Sequence, residues 1–507
     1  MRKLLQFVSL AILTQGVFFL NQLILLPMQI RVWGHAGTAQ WYTIVALAAI
    51  AMVADLGLRS AGHAELVRYV RDPNDKGAKL AFQQIWAWIR ILSLIVTIFI
   101  IIFDVVSYRA QAKGSYPFWR VLLVIASALE GLLIVRIAYL DSMTYYREAE
   151  GGYLLLAGMR LFLAVAGLWW FHLPASGMAW IWFLTAAGAL ALQGRLCGRL
   201  RLIRLFEAFP PNLSARTLAV ARHTMATPFA NWARPCLPVL VLSAIGSPTT
   251  VTTYIALRAA FGAAGATIAQ LSRFASVEYV QLKMDDRPES AEALLSAFVL
   301  FAAFFGTTLA CGITADNLRI IGIWLAASNL ATYQTMALLF GVSCAFCSSY
   351  IVLGLMLRMG EVALIARRQY LYIALTGLSA IIGLVTRSLY LYLVLVALLA
   401  EIGSTAALML APTKNGSMSQ TRAGPRAFVA GLVGSAFILV IWLAVRSGYF
   451  PIFQSRSLLS GTWTALVLMF WIGAFALVTI YINADVLKRV WAFCFPSIYA
   501  KCLDARR

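Results

Sequence analysis

About fourteen apolar segments, each long enough to cross a bilayer, occupy almost all of this chain of 507 residues, of which 62% are hydrophobic. A helix needs roughly 20 apolar residues to span about 30 Å of hydrocarbon, and inside lipid it satisfies its own backbone hydrogen bonds. The connections between the segments are too short to form a soluble domain. The sequence therefore predicts an all-α polytopic membrane protein whose function lies in its helix bundle. The predicted spans are 6–30, 40–58, 82–104, 118–140, 151–171, 175–194, 221–243, 250–275, 290–312, 331–357, 361–386, 389–411, 427–445 and 462–483.

The distribution of Lys and Arg predicts the sidedness of these spans. An even number of spans places both termini on one side, and the loops and termini of that side hold 27 Lys and Arg, against 8 in the opposite loops. Because cytoplasmic loops are enriched in Lys and Arg, both termini are predicted to be cytoplasmic. These flanking residues account for the net charge of +21, so the expected partners are membrane lipids and not nucleic acid.

The cysteines and histidines predict no metal site and no bound cofactor. The seven Cys are dispersed, and the one C-x-x-C pair, Cys344 and Cys347, lies in an apolar segment without a carboxylate or His nearby. Packing is therefore the preferred interpretation of this pair. The four His share no metal-ligand spacing. Coupling to H⁺ or Na⁺ is the one ion requirement that the sequence leaves open.

Two segments of the chain carry the same four residue types at similar spacing. Each segment lies on the first span of a six-span set, crosses a short turn and enters the second span. The matching residues are Asn21, Pro27, Gly34 and Tyr42 in the first segment and Asn231, Pro238, Gly246 and Tyr254 in the second. The match predicts duplicated six-span lobes related by an axis along the membrane normal, as in transporters built from parallel repeats. Chance agreement of four residues is the alternative.

This repeat defines the predicted domain organisation. Residues 1–200 form an N-lobe with spans one to six, and 221–411 form a C-lobe with spans seven to twelve. A cytoplasmic linker, 201–220, joins the lobes. A turn-rich linker, 412–426, leads to 427–507, which hold spans thirteen and fourteen and a cytoplasmic tail.

The beginning of the chain resembles a known family. The stretch from Asn21 to Gly34, the pair Trp41-Tyr42 and the element Asp55-Leu-Gly57-Leu resemble the opening of Wzx-type polysaccharide flippases. These flippases belong to the multidrug/oligosaccharidyl-lipid/polysaccharide exporter superfamily. The similarity in detail covers about the first 70 residues, and beyond them it rests on span count and loop pattern.

The resemblance implies two six-helix lobes around a central cavity, with two peripheral helices. It implies a bacterial inner-membrane protein that is a transporter and not an enzyme. The implied activity is alternating-access transfer of a polyprenyl-pyrophosphate-linked oligosaccharide from the cytoplasmic to the periplasmic leaflet, for exopolysaccharide or O-antigen assembly. The implied partners are this lipid-linked glycan, a polysaccharide polymerase and a chain-length regulator. Gly57 and the repeated Asn, Pro, Gly and Tyr residues would then be structural.

Six arginines inside the predicted spans are the candidate substrate-binding residues. A charge at the centre of a bilayer costs about 2.5–3.5 kcal/mol on insertion scales, so these side chains should face protein or a wet cavity. The planar guanidinium matches phosphate oxygens, which suits a pyrophosphate headgroup. Arg258 and Arg234 rank first because they lie well inside their spans. The six residues are Arg258, Arg234, Arg160, Arg136, Arg90 and Arg273.

Each arginine also has a structural interpretation. Snorkelling to the cytoplasmic interface is as good an interpretation as a cavity position for Arg136, Arg160 and Arg273. A structural role, as an ion pair or by snorkelling, is preferred for Arg90. Cavity lining is preferred for Arg258 and Arg234.

Three acidic residues are the candidates for ion or proton coupling. Glu130 lies in the middle of span four, where it could bind a proton or act as a fixed counter-ion for an arginine of the same lobe. Asp55 ends span two, and an ion pair with Arg59 at i+4 is its preferred interpretation. Glu401 in span twelve is the third candidate.

Other functions fit the composition less well. A cation-coupled multidrug antiporter of the same fold carries mostly cationic cargo, which a set of arginines disfavours. A lipid-II-type exporter is a nearer alternative. A membrane enzyme, such as a glycan polymerase or glycosyltransferase, needs a large outer loop or a cluster of acids, and here the outer connections between the predicted spans are short.

Overall fold

The computed structural model of this protein describes residues 2–72, 74–110, 116–142, 146–199, 215–259, 279, 291 and 362–404. Over these ranges the chain folds into helices, which are numbered here in chain order. They are α1 (Arg2–Ala48), α2 (Leu58–Arg71), α3 (Lys76–Ala110), α4 (Trp119–Ser142), α5 (Tyr146–Phe171), α6 (Ala175–Arg199), α7 (Ala215–Thr224), α8 (Ala226–Ile245), α9 (248–259), α10 (Val362–Thr386) and α11 (Leu389–Leu395). A 3₁₀ turn, Ala49–Val53, extends α1, and a π-helical turn, Val396–Gly403, extends α11.

Six helical stretches within the described ranges are long and apolar enough to cross a membrane. They are Leu20–Val53, Lys76–Ala110, Trp119–Leu140, Gly151–Phe171, Ala175–Arg195 and Ile365–Thr386. The helix α8 also overlaps a predicted span, 221–243, but that span begins on the separate short helix α7. The predicted spans 290–312, 331–357, 427–445 and 462–483 lie outside the described helices, so the count of fourteen stays a prediction.

The connection between the first two predicted spans differs from the expected turn at 31–39. The chain is helical through this region and leaves helical geometry at Gly34, where φ is 70° and ψ is 177°. A positive φ costs glycine little because it has no Cβ. The ring centroids of Trp33 and Trp41 are 5.5 Å apart, whereas eight residues of continuous helix would separate them by about 12 Å along the axis. The chain therefore turns sharply at Gly34, and α1 consists of α1a (2–33) and α1b (35–48).

Tryptophan side chains form the core around this turn. Trp41 is 1% exposed; its ring stacks on Trp119 at 5.8 Å and meets the edge of Trp182 at 5.6 Å. The indole N–H of Trp33 donates to the carbonyl of Leu173, at 2.8 Å, in the turn between α5 and α6. Trp41 is thus a core residue, because α4 and α6 cover it. We call this end of the bundle the Gly34 end.

A second core lies at the opposite end, which we call the Gly57 end. Leu66 of α2, Phe82 of α3 and Tyr139 of α4 are buried together, and Ala221 of α7 belongs to the same cluster. The helix α7 begins inside the predicted linker 201–220, so the last part of this linker is a packed helix. The absence of a side chain at Gly62 allows the close packing, because a Cβ there would overlap the Tyr139 hydroxyl oxygen.

The chain forms two compact units. The first comprises Met1–Ala259 and Gln369–Tyr392, and the second comprises Ala260–Arg368 and Leu393–Arg507. All contacts described below lie within the first unit, apart from those of Glu401, which belongs to the second. The predicted lobes 1–200 and 221–411 stay a prediction, since much of 260–361 lies outside the described residues.

Candidate functional site

Arg258 lies where the beginning of the chain meets α8 and α9. Its Nη1 donates a hydrogen bond to the carbonyl of Pro235 on α8. Its charge also acts on the hydroxyl of Tyr42 on α1b and on the thiol of Cys236. Within the described residues, this one hydrogen bond uses one of the five N–H donors of the guanidinium. Arg258 is partly exposed, so its other donors can take an anionic group.

Arg234 is directed toward helices of its own half of the chain. Its guanidinium lies 4.9 Å from the centre of the Tyr372 ring, and Tyr372 is buried on α10. Pro235 and Pro238 lie inside α8. Because proline has no N–H, Pro238 leaves the carbonyl of Arg234 without its usual helical donor. Arg234 and Arg258 therefore have different surroundings, which the sequence ranking did not separate.

Glu130 and Arg160 form a buried ion pair between α4 and α5. The side chain of Glu130 is 14% exposed and that of Arg160 is 7% exposed. The Arg160 guanidinium also lies 4.5 Å from the centre of the Trp182 ring on α6. Of the two roles left open for Glu130, the structure shows the counter-ion, and Arg160 is held inside the bundle and does not snorkel.

Arg136 is also held inside the bundle. It is 1% exposed, and its Nη1 donates to the carbonyl of Leu190 on α6 at 2.9 Å. Its guanidinium lies 5.9 Å from the centre of the Trp86 ring. Snorkelling is thus the wrong interpretation for Arg136 as well. Arg90 is partly buried on α3, and Arg273 lies outside the described residues.

The remaining acidic candidates occupy different places. Asp55 pairs with Arg59, with Nε and Oδ2 3.7 Å apart, as the i+4 spacing predicts. Glu401 is buried in the π-helical turn of the second unit. Within the described ranges, no three or more His, Cys, Asp or Glu side chains are grouped so that they could hold a metal ion. A coupling role for these acids stays a prediction.

Gly57 is the motif residue with the clearest structural requirement. Its φ is 81°, and a Cβ there would lie 2.6 Å from the backbone nitrogen of Met225 and 2.7 Å from the carbonyl oxygen of Ala221. The hydroxyl of Thr224 donates to the Gly57 carbonyl at 2.9 Å. The Asp-Leu-Gly-Leu element therefore holds the end of span two against the beginning of α8.

The repeated residues occupy partly comparable positions. Gly34 interrupts α1, and Gly246 ends α8, with its N–H bonded to the carbonyl of Leu242. Both prolines lie inside helices, so neither begins nor ends one. These two prolines are Pro27 and Pro238. The asparagines and tyrosines differ in burial: Asn21 and Tyr42 are partly buried, whereas Asn231 is exposed and Tyr254 is buried. The duplication of the lobes stays a prediction.

Two contacts of α1b involve residues that the sequence analysis missed. His35 Nδ1 lies 2.8 Å from Thr252 Oγ1, and the indole N–H of Trp232 donates to the carbonyl of Ala46 at 3.1 Å. His35 directly follows Gly34, and Thr252 lies in the first turns of the helix after Gly246. The one signal in the sequence was that both residues come shortly after a glycine of the repeated set. The pairing of residues 217 positions apart was not readable from it.

A further polar cluster joins α3 to α4 at the Gly34 end. Arg120 Nη2 donates to Asp104 at 2.6 Å, and the Tyr116 hydroxyl donates to the other carboxylate oxygen. Burial, together with this hydrogen bond, raises the pKa of the Tyr116 hydroxyl above its ordinary value. Arg120 also lies 5.0 Å from the centre of the Tyr108 ring. The cluster fastens the two helices and explains Arg120 as a structural residue.

Comparison with known proteins shows which solved structures share this fold. No protein family and no curated protein sequence matches the chain. Among solved structures, the lipid II flippase MurJ in an inward closed conformation matches with a TM-score of 0.65 and 10% identity, over 95% of this chain and 100% of that chain. An outward-facing multidrug resistance MATE family transporter of the MOP superfamily matches with a TM-score of 0.55 and 12% identity, over 86% of this chain and 95% of that one. The fold is that of MOP-superfamily transporters.

A third solved structure agrees with these two. A MOP-superfamily transporter from Pyrococcus furiosus, whose binding pocket has reverse polarity, matches with a TM-score of 0.52 and 12% identity. The match covers 86% of this chain and 95% of that chain. At such low identities the likeness establishes the MOP fold, and the chemistry of the cargo has to be argued from the residues of this chain.

Proposed function

We propose that this protein is a flippase that transfers a polyprenyl-pyrophosphate-linked oligosaccharide across a bacterial inner membrane by alternating access, for surface polysaccharide assembly. The MOP fold supports a transporter. The cytoplasmic termini, the coupling to H⁺ or Na⁺ and the partnership with a polymerase and a chain-length regulator are parts of the same proposal.

The position of Arg258 carries the proposal. Its guanidinium lies between α1b and the helices α8 and α9, and part of its hydrogen-bonding capacity is unused within the described residues. A pyrophosphate is an anion that accepts several charge-assisted hydrogen bonds. A cation in this place favours anionic cargo over the cationic cargo of a multidrug antiporter. The prenyl tail of such a cargo would remain in lipid while the headgroup contacts Arg258.

Arg234 has a second place in this proposal. It stacks on Tyr372 within its own half, so its contact with cargo would need this stacking to open. Arg160 and Arg136 are engaged inside the N-terminal bundle, by Glu130 and by the Leu190 carbonyl respectively. We therefore assign the direct contact with the headgroup to Arg258 and a supporting role to Arg234.

Replacement of Arg258 tests the proposal. Arg258→Ala should reduce export of the surface glycan about tenfold or more, because a hydrogen bond to a charged group contributes about 1.5–3 kcal/mol. Arg258→Lys should have an intermediate effect, since it keeps the charge and loses the planar fork. Export is measured as surface glycan per amount of protein in the membrane, with accumulation of the lipid-linked precursor as the second readout.

Two variants complete this experiment. Arg234→Ala should reduce export less than Arg258→Ala does. Arg31→Ala is the matched control, because Arg31 is an exposed cation at the Gly34 end and should leave export unchanged. Normal export by Arg258→Ala at a normal protein level would contradict the proposed role of Arg258.

Export of lipid II is the second candidate function. It is favoured by the TM-score of 0.65 with the lipid II flippase MurJ, over 100% of that chain. Deletion of the gene separates the two candidates. A lipid II exporter is needed for growth unless another protein replaces it, whereas loss of a surface-polysaccharide flippase should leave cells growing without the glycan.

A further inference from the structure

The segment from His35 to Gly57, which comprises α1b and the turns that follow it, contacts the second half of the chain at three levels. At the Gly34 end, His35 Nδ1 lies 2.8 Å from Thr252 Oγ1. Midway, the carbonyl of Ala46 accepts a hydrogen bond from the Trp232 indole. At the Gly57 end, the hydroxyl of Thr224 donates to Gly57. This one segment thus connects the two halves at both ends of the region that holds Tyr42 and Arg258.

Thr252 has acceptors on its own helix as well as the contact with His35. The Thr252 hydroxyl can donate its proton to a carbonyl of its own helix, that of Thr249 at 3.0 Å or that of Pro248 at 3.2 Å. The His35 bond therefore forms with either tautomer of the imidazole: Nδ1–H donates to the Thr252 oxygen, or the Thr252 hydroxyl donates to an unprotonated Nδ1. The contact is a single hydrogen bond between two side chains, and a change of the His35 rotamer would break it.

The contact at the Gly57 end is built differently. There the backbone of Gly57 lies against the backbone of α7 and α8, so closely that a Cβ would be 2.6 Å from the Met225 nitrogen. Ala221 of α7 shares a buried cluster with Leu58 and Leu66 of α2. The described contact at the Gly57 end is thus made by packed backbone, whereas the His35–Thr252 contact at the Gly34 end is made by two side chains.

We infer that His35 and Thr252 form the gate on the Gly34 side of the transport path, which the Lys and Arg distribution predicts to be the outside. The gate opens while the packing of Gly57 against Thr224 and Met225 keeps the opposite side closed. This inference rests on the proposed alternating-access transport and adds the residues that control release. Neither residue belongs to the cationic set around Arg258.

A disulfide across the gate tests the inference. The full-length protein, with its seven cysteines replaced by serine, carries His35→Cys, Thr252→Cys and the reporter Tyr42→Cys. The readout is labelling of the Tyr42→Cys thiol by a membrane-impermeant maleimide, added from outside to right-side-out vesicles. We expect a disulfide between positions 35 and 252, labelling that falls at least tenfold when it forms, and recovery of labelling after reduction.

Two controls and three possible outcomes decide the result. Single-cysteine gate variants, each with the reporter, should show no loss of labelling after oxidation. Ser176→Cys, which is exposed near the Gly34 end, should be labelled equally in oxidised and reduced protein. The inference is overturned if no disulfide forms in protein of normal membrane level, if labelling is unchanged by the disulfide, or if the reporter is never labelled from outside.

A second variant gives the opposite change without a cross-link. His35→Ala removes the imidazole and with it the bond to Thr252, so it should increase the labelling rate of the Tyr42→Cys reporter severalfold. An unchanged rate would also overturn the gate. None of these readouts contains a glycan. If the labelling experiments contradict the gate while Arg258→Ala still loses export, this inference alone is refuted. If the labelling experiments support the gate while Arg258→Ala exports normally, the proposed cargo is refuted.

Discussion

At the scale of single residues, the absence of a side chain at Gly57 allows two parts of the chain to touch. Its φ of 81° is a conformation that glycine adopts readily, and the backbone of Thr224 and Met225 fills the space of a Cβ. The Thr224 hydroxyl then caps the Gly57 carbonyl at 2.9 Å. Conformation and contact both exclude a side chain, so this glycine couples local geometry to the packing of distant helices.

The substitution Gly57→Ala should therefore destabilise the protein by at least about 1–3 kcal/mol, which is the range for a strained backbone conformation. The overlap with Met225 adds to this cost. The thermal unfolding midpoint in detergent is the measurement. Gly158→Ala on α5 is the matched control, because a Cβ there meets nothing within 4 Å. An unchanged midpoint for Gly57→Ala would show that the close approach is absent.

At the scale of the helices, charged side chains hold the N-terminal bundle together inside the membrane. The Glu130–Arg160 pair joins α4 to α5, and the stacking of Arg160 on Trp182 adds α6 at 4.5 Å. Trp182 in turn contacts Trp41 of α1b, with ring centroids 5.6 Å apart. Neutralising one partner would leave the other as an unpaired charge in a medium of low dielectric constant, which is costly.

The substitution Glu130→Gln should lower the free energy of unfolding by about 3–5 kcal/mol, as expected when a buried ion pair loses one partner. The double variant Glu130→Leu with Arg160→Leu should recover much of this loss, because no charge remains buried. Unfolding of the single and double variants in detergent gives the coupling energy. Equal losses for the single and the double variant would argue against the ion pair as the source of the effect.

At the scale of the whole molecule, the two ends of the first unit should face different compartments. The Gly34 end holds the turn between α5 and α6, and the Gly57 end holds α7 and its exposed Arg222 and His223. The excess of basic residues predicts that the Gly57 end lies in the cytoplasm. This orientation places the His35–Thr252 contact toward the outside.

Cysteine labelling tests this orientation. In protein without its native cysteines, Ser176→Cys should react with a membrane-impermeant maleimide in spheroplasts, which expose the outer face of the inner membrane. Arg222→Cys should react only after the membrane is permeabilised. Both side chains are exposed in the folded protein, so the difference between them reports sidedness. The reverse pattern would overturn the predicted topology and, with it, the direction of the proposed export.

The helices and their membrane-spanning character could be read from the sequence, because a bilayer demands long apolar segments whatever their neighbours are. The pairing of Asp55 with Arg59 was also readable, since i+4 residues are neighbours on any helix. The sharp turn at Gly34 was only partly predicted, because local propensity does not tell how far helices continue on either side of one glycine.

The surroundings of the charged residues were decided by the tertiary structure alone. Arg136, Arg160, Arg234 and Arg258 carry the same guanidinium, yet their partners are a carbonyl, a carboxylate, a tyrosine ring and a second carbonyl. Helices far apart in the chain supply these partners, as with His35 and Thr252. The sequence by itself determined that charge lies inside the bundle, because burying it is costly enough to require a partner. Only the packing of the helices decided which groups serve as those partners.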